Sequence, residues 1–204
     1  VVRVILNRFP QPSGSILKAL EMLAMLRDGD PGQLQALEDL SELPRPWEPA
    51  TCPQHLRAAV WRWCDQVTVW LNTDYAWRPA HLIPACWPRH PHIARELVVL
   101  AFLRLEAEEA TGPHLLEDWQ RYSYPMFCDR MAGRLGDSTC RVGKHQDWPA
   151  ESRVTAYIQP AASAERRAVL TADSDSSTNL VGAPFSTRRG GMLTADLSPE
   201  GTRR

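Results

Sequence analysis

The chain has no apolar run near the roughly 18 residues that a membrane-spanning helix requires, so nothing in it points to a membrane partner. It also has no excess of either charge. The formal net charge is −1; residues 1–150 hold 16 Lys/Arg against 18 Asp/Glu, and residues 151–204 hold 7 against 6. A protein that neutralises many phosphates concentrates its cations, so a broad nucleic-acid-binding face is excluded. The five cysteines (Cys52, Cys64, Cys86, Cys128, Cys140) are odd in number and irregularly spaced, which excludes a disulfide framework. Residues 1–6 are too short for a secretory signal and no small-residue cleavage site follows them, so reduced thiols in a cytoplasm are expected. A glycine-rich phosphate loop, a Gly-x-Ser-x-Gly elbow and a His-Glu-x-x-His pair are all missing. The main sequence routes to nucleotide hydrolysis, ester hydrolysis and metalloproteolysis go with them.

What is present is concentrated in the first three quarters of the chain. All eight tryptophans lie between Trp47 and Trp148, and beyond residue 150 the only aromatics are Tyr157 and Phe185. The remaining segment is rich in Ser, Thr, Ala and Gly. It can bury too little apolar surface to offset an ordering cost of about 1–2 kcal/mol per residue. The organisation expected is a helical domain over residues 1–150 and a disordered or weakly helical tail over 151–204, with one short helix near 161–170.

Within the domain the apolar periodicity is helical. Ser13-Gly14 precedes a first helix with Ile16, Leu20 and Leu23 on one stripe, ending at Asp28-Gly29. Asp30 as N-cap, Pro31 behind it and Gln33 open a second, with Leu34, Leu37 and Leu40. Pro44, Pro46 and Pro49 enforce an extended connector. A third helix begins at Thr51, with Gln54 at capping-box spacing, and carries Leu56, Val60, Trp63, Val67 and Trp70 in steps of four and three. A fourth runs from His90-Pro91 to about residue 110, apolar on several sides (Ile93, Leu97, Val98, Leu100, Phe102, Leu103, Leu105), as a central helix would be. A fifth opens at Gly112-Pro113 with Leu115, Leu116, Trp119, Tyr122 and Met126; Pro125 should kink it before Phe127, Met131, Leu135 and a terminal Gly136. The fold class is therefore all-α, a compact bundle of about five helices.

Two cysteine–histidine pairs stand out. Cys86-x3-His90 and Cys140-x4-His145 flank the fourth and fifth helices, which are antiparallel neighbours if their connector is tight. Two Cys and two His are the ligand inventory of a tetrahedral zinc site, and His92 is a substitute ligand. The competing reading makes Cys86 a small hydrophobe, His90 the cap of the fourth helix, and Cys140 and His145 parts of a surface loop; no cofactor is then expected. Cys52, in the first turn of the third helix, is read as packing. Glu106, Glu108, Glu109, His114, Glu117 and Asp118 surround one inter-helix turn. They would serve a hydrolase only if a dry cleft held them, and otherwise form a solvated end. Trp61, Trp77 and Trp87 fall off the core stripes and are candidates for facing a partner.

The run Cys86-Trp87-Pro88-Arg89-His90-Pro91, followed by the apolar helix from Ile93, resembles a family of uncharacterised actinobacterial proteins encoded on plasmids, integrative elements and phages. The likeness covers about residues 56–146 and takes in the Trp61 helix, Trp119, and the late Cys140 and His145. Pro88 stands where that pattern favours Trp, and no Trp precedes the cysteine. The resemblance implies a helical fold and a mobile-element setting but no reaction. The function expected is a non-enzymatic protein-interaction or accessory domain, cytoplasmic, binding another protein or itself. The alternative is a small nucleic-acid-binding helical domain, zinc-stabilised in one version, using Arg57, Arg62, Arg95 and Arg104 as a local basic surface.

Overall fold

The computed structural model describes residues 6–29 and 43–178. Among these residues there is no strand, and the class is all-α. No described helix is long and apolar enough to cross a membrane. Close contacts divide the chain into two compact units, Val1–Pro149 and Ala150–Arg204.

In the first unit, α1 spans Gly14–Asp28 and α2 spans Gln54–Asp74, followed by α3 over Pro91–Glu109. The short α4 (His114–Asp118) runs through a π-helical turn at Trp119–Ser123 into α5 (Tyr124–Leu135). The second helix expected from Asp30 lies outside the described residues. The stripe Leu56, Val60, Trp63, Val67 and Trp70 on α2 is wholly buried, and Val69, off the stripe, is exposed. Helix α3 is the centre: Ile93, Leu97, Val98, Leu100, Phe102 and Leu105 are all buried, while Leu103 faces out. Each such side chain removed from water contributes roughly 1.5–3 kcal/mol.

Three local expectations are corrected. Helix α2 starts at Gln54 rather than Thr51, because Pro53 takes the N-cap position and Pro49–Thr51 form a separate turn. The Thr51 hydroxyl donates to the Glu48 carbonyl at 2.9 Å, so the capping box is not made. Pro125 does not kink a continuous helix. The register slips by one residue in the π-helical turn ahead of it, where the Tyr124 N–H reaches the Trp119 carbonyl. Tyr122, inside the turn, and Met126, just beyond it, are exposed, as is Leu115 ahead of it, while Trp119 is buried. Ahead of α1, residues 7–10 lie along α2 without regular structure and accept the indole N–H groups of Trp70 (Asn7 carbonyl, 3.1 Å) and Trp63 (Pro10 carbonyl, 2.8 Å).

The second unit holds α6 (Glu151–Tyr157) and the 19-residue α7 (Pro160–Thr178), more helix than the segment near 161–170 that was expected. Its apolar side chains, Val154, Tyr157, Ile158, Val169 and Leu170, remain exposed. The two helices are joined instead by Arg166, which donates to the Tyr157 carbonyl at 2.7 Å and sits 3.7 Å from the centre of its ring. A cation over an aromatic face supplies attraction without a core. Residues 179–204 of the tail lie outside the described residues.

Candidate metal centre

Cys86 and His90 are brought to one side of the chain by a single 3-10 turn, Trp87–Arg89, whose N–H groups close on Pro84, Cys86 and Trp87. His90 then occupies the N-cap position of α3, its carbonyl accepting from Ile93 and Ala94, but its side chain makes no capping bond. The imidazole turns away from the helix, and its Nε2 lies 3.6 Å from the Cys86 sulfur and 3.3 Å from the Cys140 sulfur. The capping reading was right for the backbone and wrong for the ring.

The second pair comes from the loop after α5. Gly136 leaves the helix at φ 47°, and a 3-10 turn over Thr139–Val142 ends at Gly143 with φ 81°, a left-handed conformation that glycine adopts at no steric cost. Thr139 clamps the loop, its hydroxyl donating to the Lys144 carbonyl at 2.9 Å. The chain therefore doubles back, and His145 faces His90 with ring centroids 4.9 Å apart. One donor atom from each of Cys86, His90, Cys140 and His145 lies within 4.8 Å of the others.

The surroundings of the four are as specific as the four themselves. His145 Nε2 is bonded to the Asp147 carboxylate at 2.9 Å, and its Nδ1 is buried with no partner. The Gln146 N–H points at the Cys140 sulfur at 3.2 Å. Cys140 and His90 are each 2% exposed. Burial, followed by the neighbouring His145 and His92, lowers the pKa of His90 and so favours its neutral ring. Burial and then the contact with Cys140 raise the Cys86 thiol. The His90 Nδ1 is also buried without a partner. His92 is not among the four; it is half-buried and packs edge-on against Trp148. Neither Asp147 nor the Gln146 N–H was picked out from the sequence, although His145-x-Asp147 is a spacing that lets a carboxylate reach the outer ring nitrogen.

The other candidate residues are scattered. Glu106, Glu109, His114, Glu117 and Asp118 are exposed, and Glu108 is occupied by Arg104 at 2.6 Å, so no dry cleft assembles them. Cys52 is buried, as packing requires. Of the four arginines of the basic surface, Arg104 is buried among Phe9, Trp70 and Trp119, and Arg57 is tied to the Pro49 and Ala50 carbonyls. Trp77 is 88% exposed. Trp87 is a correction, being 4% exposed: the 3-10 turn folds it inward against Trp61, ring centroids 6.1 Å apart. Trp61 is half-buried and lines a groove of about 670 Å³ with Trp47, Pro49, Pro88, Pro91 and Val99, none of the other five being a partner-facing candidate in the sequence. No family, curated protein or solved structure matches the chain.

Proposed function

We propose that the chain is a non-enzymatic protein-interaction domain whose contact surface is the groove between the start of α2 and the start of α3. The observation that carries this reading is the company of Trp61. It shares one open depression with Trp47 and three prolines, and Arg57 and Arg95 stand at the same depression. Tryptophan and arginine are the residue types that most often dominate binding energy at protein interfaces, and aromatic-lined grooves accept extended, proline-rich chain. The exposed acidic turn offers no enzyme, and the nucleic-acid alternative keeps only Arg62 and Arg95 of its four arginines free of the contacts described above. An accessory role beside a larger machinery, such as a mobile element's, is part of the same proposal.

A photoreactive phenylalanine analogue placed at Val99, in the groove, tests it in cells. It should give one discrete protein adduct that is lost on Trp61→Ala, and the same probe at Lys18 on α1 should give none. Equal adducts from both positions, or adducts untouched by Trp61→Ala, would remove the groove as the contact surface.

A further inference from the structure

We propose that Cys86, His90, Cys140 and His145 bind a single zinc ion through the two sulfurs, Nε2 of His90 and Nδ1 of His145, as a closed structural site. The separations suit one tetrahedral ion. Zinc–sulfur bonds near 2.3 Å and zinc–nitrogen bonds near 2.0–2.1 Å place neighbouring donors roughly 3.3–3.8 Å apart. The His90 nitrogen already lies 3.3 and 3.6 Å from the two sulfurs, and the widest separation in the group is within 4.8 Å. Small side-chain rotations close that difference. A two-iron cluster would divide the same four donors between two metals and spread them further.

Independent features point to an ion rather than to a packed knot of polar groups. A disulfide between the cysteines would leave two imidazoles aimed at it with nothing to bind. The His145 Nδ1 is buried and unpartnered, as is the His90 Nδ1 on the ring edge that the ion would not use; an ion at His145 Nδ1 removes the first of these costs. Its other nitrogen is held by Asp147, the outer carboxylate that fixes the tautomer and orientation of metal-bound histidine. The Gln146 N–H lies 3.2 Å from the Cys140 sulfur, where it would donate to a zinc-bound thiolate. Two thiolates also cancel the charge of a divalent ion, so the complex is neutral where His90 and Cys140 are buried.

The site is structural because the protein fills all four positions and leaves none for water or substrate. What it joins follows from the chain order. His90 and Cys140 are 50 residues apart, one at the entry to α3 and the other beyond the end of α5. Zinc would staple those two ends, and with them the Trp87–Pro88 turn that lies between Cys86 and His90.

The full-length chain, purified reduced, should carry one zinc per molecule that survives dialysis against a weak chelator. Cobalt in its place should give the intense visible bands of a tetrahedral ion together with sulfur-to-cobalt charge transfer. Cys140→Ser should lose both, and Cys52→Ser should lose neither. Because Cys140→Ser removes a buried group and can fail to fold, Asp147→Asn provides the second readout. It touches no ion directly, and should weaken zinc binding roughly 10–100-fold while leaving the helical content unchanged. A folded wild-type chain that retains no zinc overturns the proposal, as does a cobalt complex without sulfur charge transfer. So does an Asp147→Asn chain that binds zinc as tightly as wild type.

Discussion

Trp119 donates its indole N–H to the carbonyl of Leu100 at 3.0 Å, across the contact between the π-helical turn and α3. Trp119 is the first residue of that turn, and its carbonyl also accepts the wide bond from the Tyr124 N–H. Trp119 also packs on Trp70, Tyr75 and Tyr124, so ring and bond act together. Trp119→Phe should keep most of the packing and cost about 0.5–1.5 kcal/mol for the lost bond. Trp119→Ala should cost about 3–5 kcal/mol. Urea denaturation of the two variants checks the ordering. Equal losses would mean that the bond, and not the ring, holds α3 to the turn.

Arg104 yields a second prediction, since its guanidinium sits 5.0 Å from the Phe9 ring, 5.6 Å from Trp70 and 5.9 Å from Trp119. Its long apolar stem fills space as much as its charge finds partners, and Glu108 at 2.6 Å is its counter-charge. Arg104→Met keeps the volume and removes the desolvated charge, so it should be far less damaging than Arg104→Ala. Glu108→Gln should be harmful in wild type and nearly silent in the Arg104→Met background. The double-mutant cycle measures this directly, and additive losses would show that the ion pair contributes nothing.

Acid stability provides a third. Burial works against the charge on Glu96, but hydrogen bonds and charge from Arg130 (2.7 Å) and Arg134 outweigh it and hold the carboxyl below its ordinary range. A carboxyl whose pKa is depressed by folding stabilises the fold above its unfolded value, near 4.3, and that contribution is lost as the pH falls through its folded value. With one partly exposed pair on each side the contribution is at most about 1 kcal/mol. Wild type should therefore exceed Glu96→Gln in urea midpoint at pH 7, and the gap should close below pH 4.3. A gap constant with pH would mean that the effect is packing.

These sites separate what the residue order reveals from what it hides. The buried stripe from Leu56 to Trp70 was legible because four- and three-residue steps translate directly into one helix face. The four metal candidates were legible as two spaced pairs, since each pair is local and only the meeting of the pairs is tertiary. Arg104 was misread as surface because a charged residue on a helix is normally solvated; three rings from distant segments had to converge before burial could be seen. Trp87 was misread for a related reason. The 3-10 turn that folds it under Trp61 is set by Pro88 and by the Cys86–His90 geometry, not by any periodicity. The π-helical slip has no periodic signature either, so the exposure of Tyr122 and Met126 came only from the structure.

The last prediction links the proposed zinc site to the proposed contact surface. Trp87 and Pro88 lie between two of the zinc ligands, and Pro88 also lines the same groove as Trp61. Losing the ion would cut the turn's tie to the loop at Cys140, while the core around Leu97 and Trp63, buried away from the site's four ligands, should hold. Chelation should therefore lower the melting temperature without abolishing the helical signal, and should shift tryptophan emission to the red as Trp87 meets water. Trp87→Phe should suppress most of that shift, and Trp77→Phe, already exposed, should not. The groove wall should loosen in step, so that the adduct from the Val99 probe falls roughly fivefold or more on chelation, the scale of ordinary coupling between sites. An emission shift with undiminished adduct would uncouple the two proposals and leave each to stand alone. Complete loss of helix on chelation would show that the staple, rather than the apolar centre of α3, holds the bundle together.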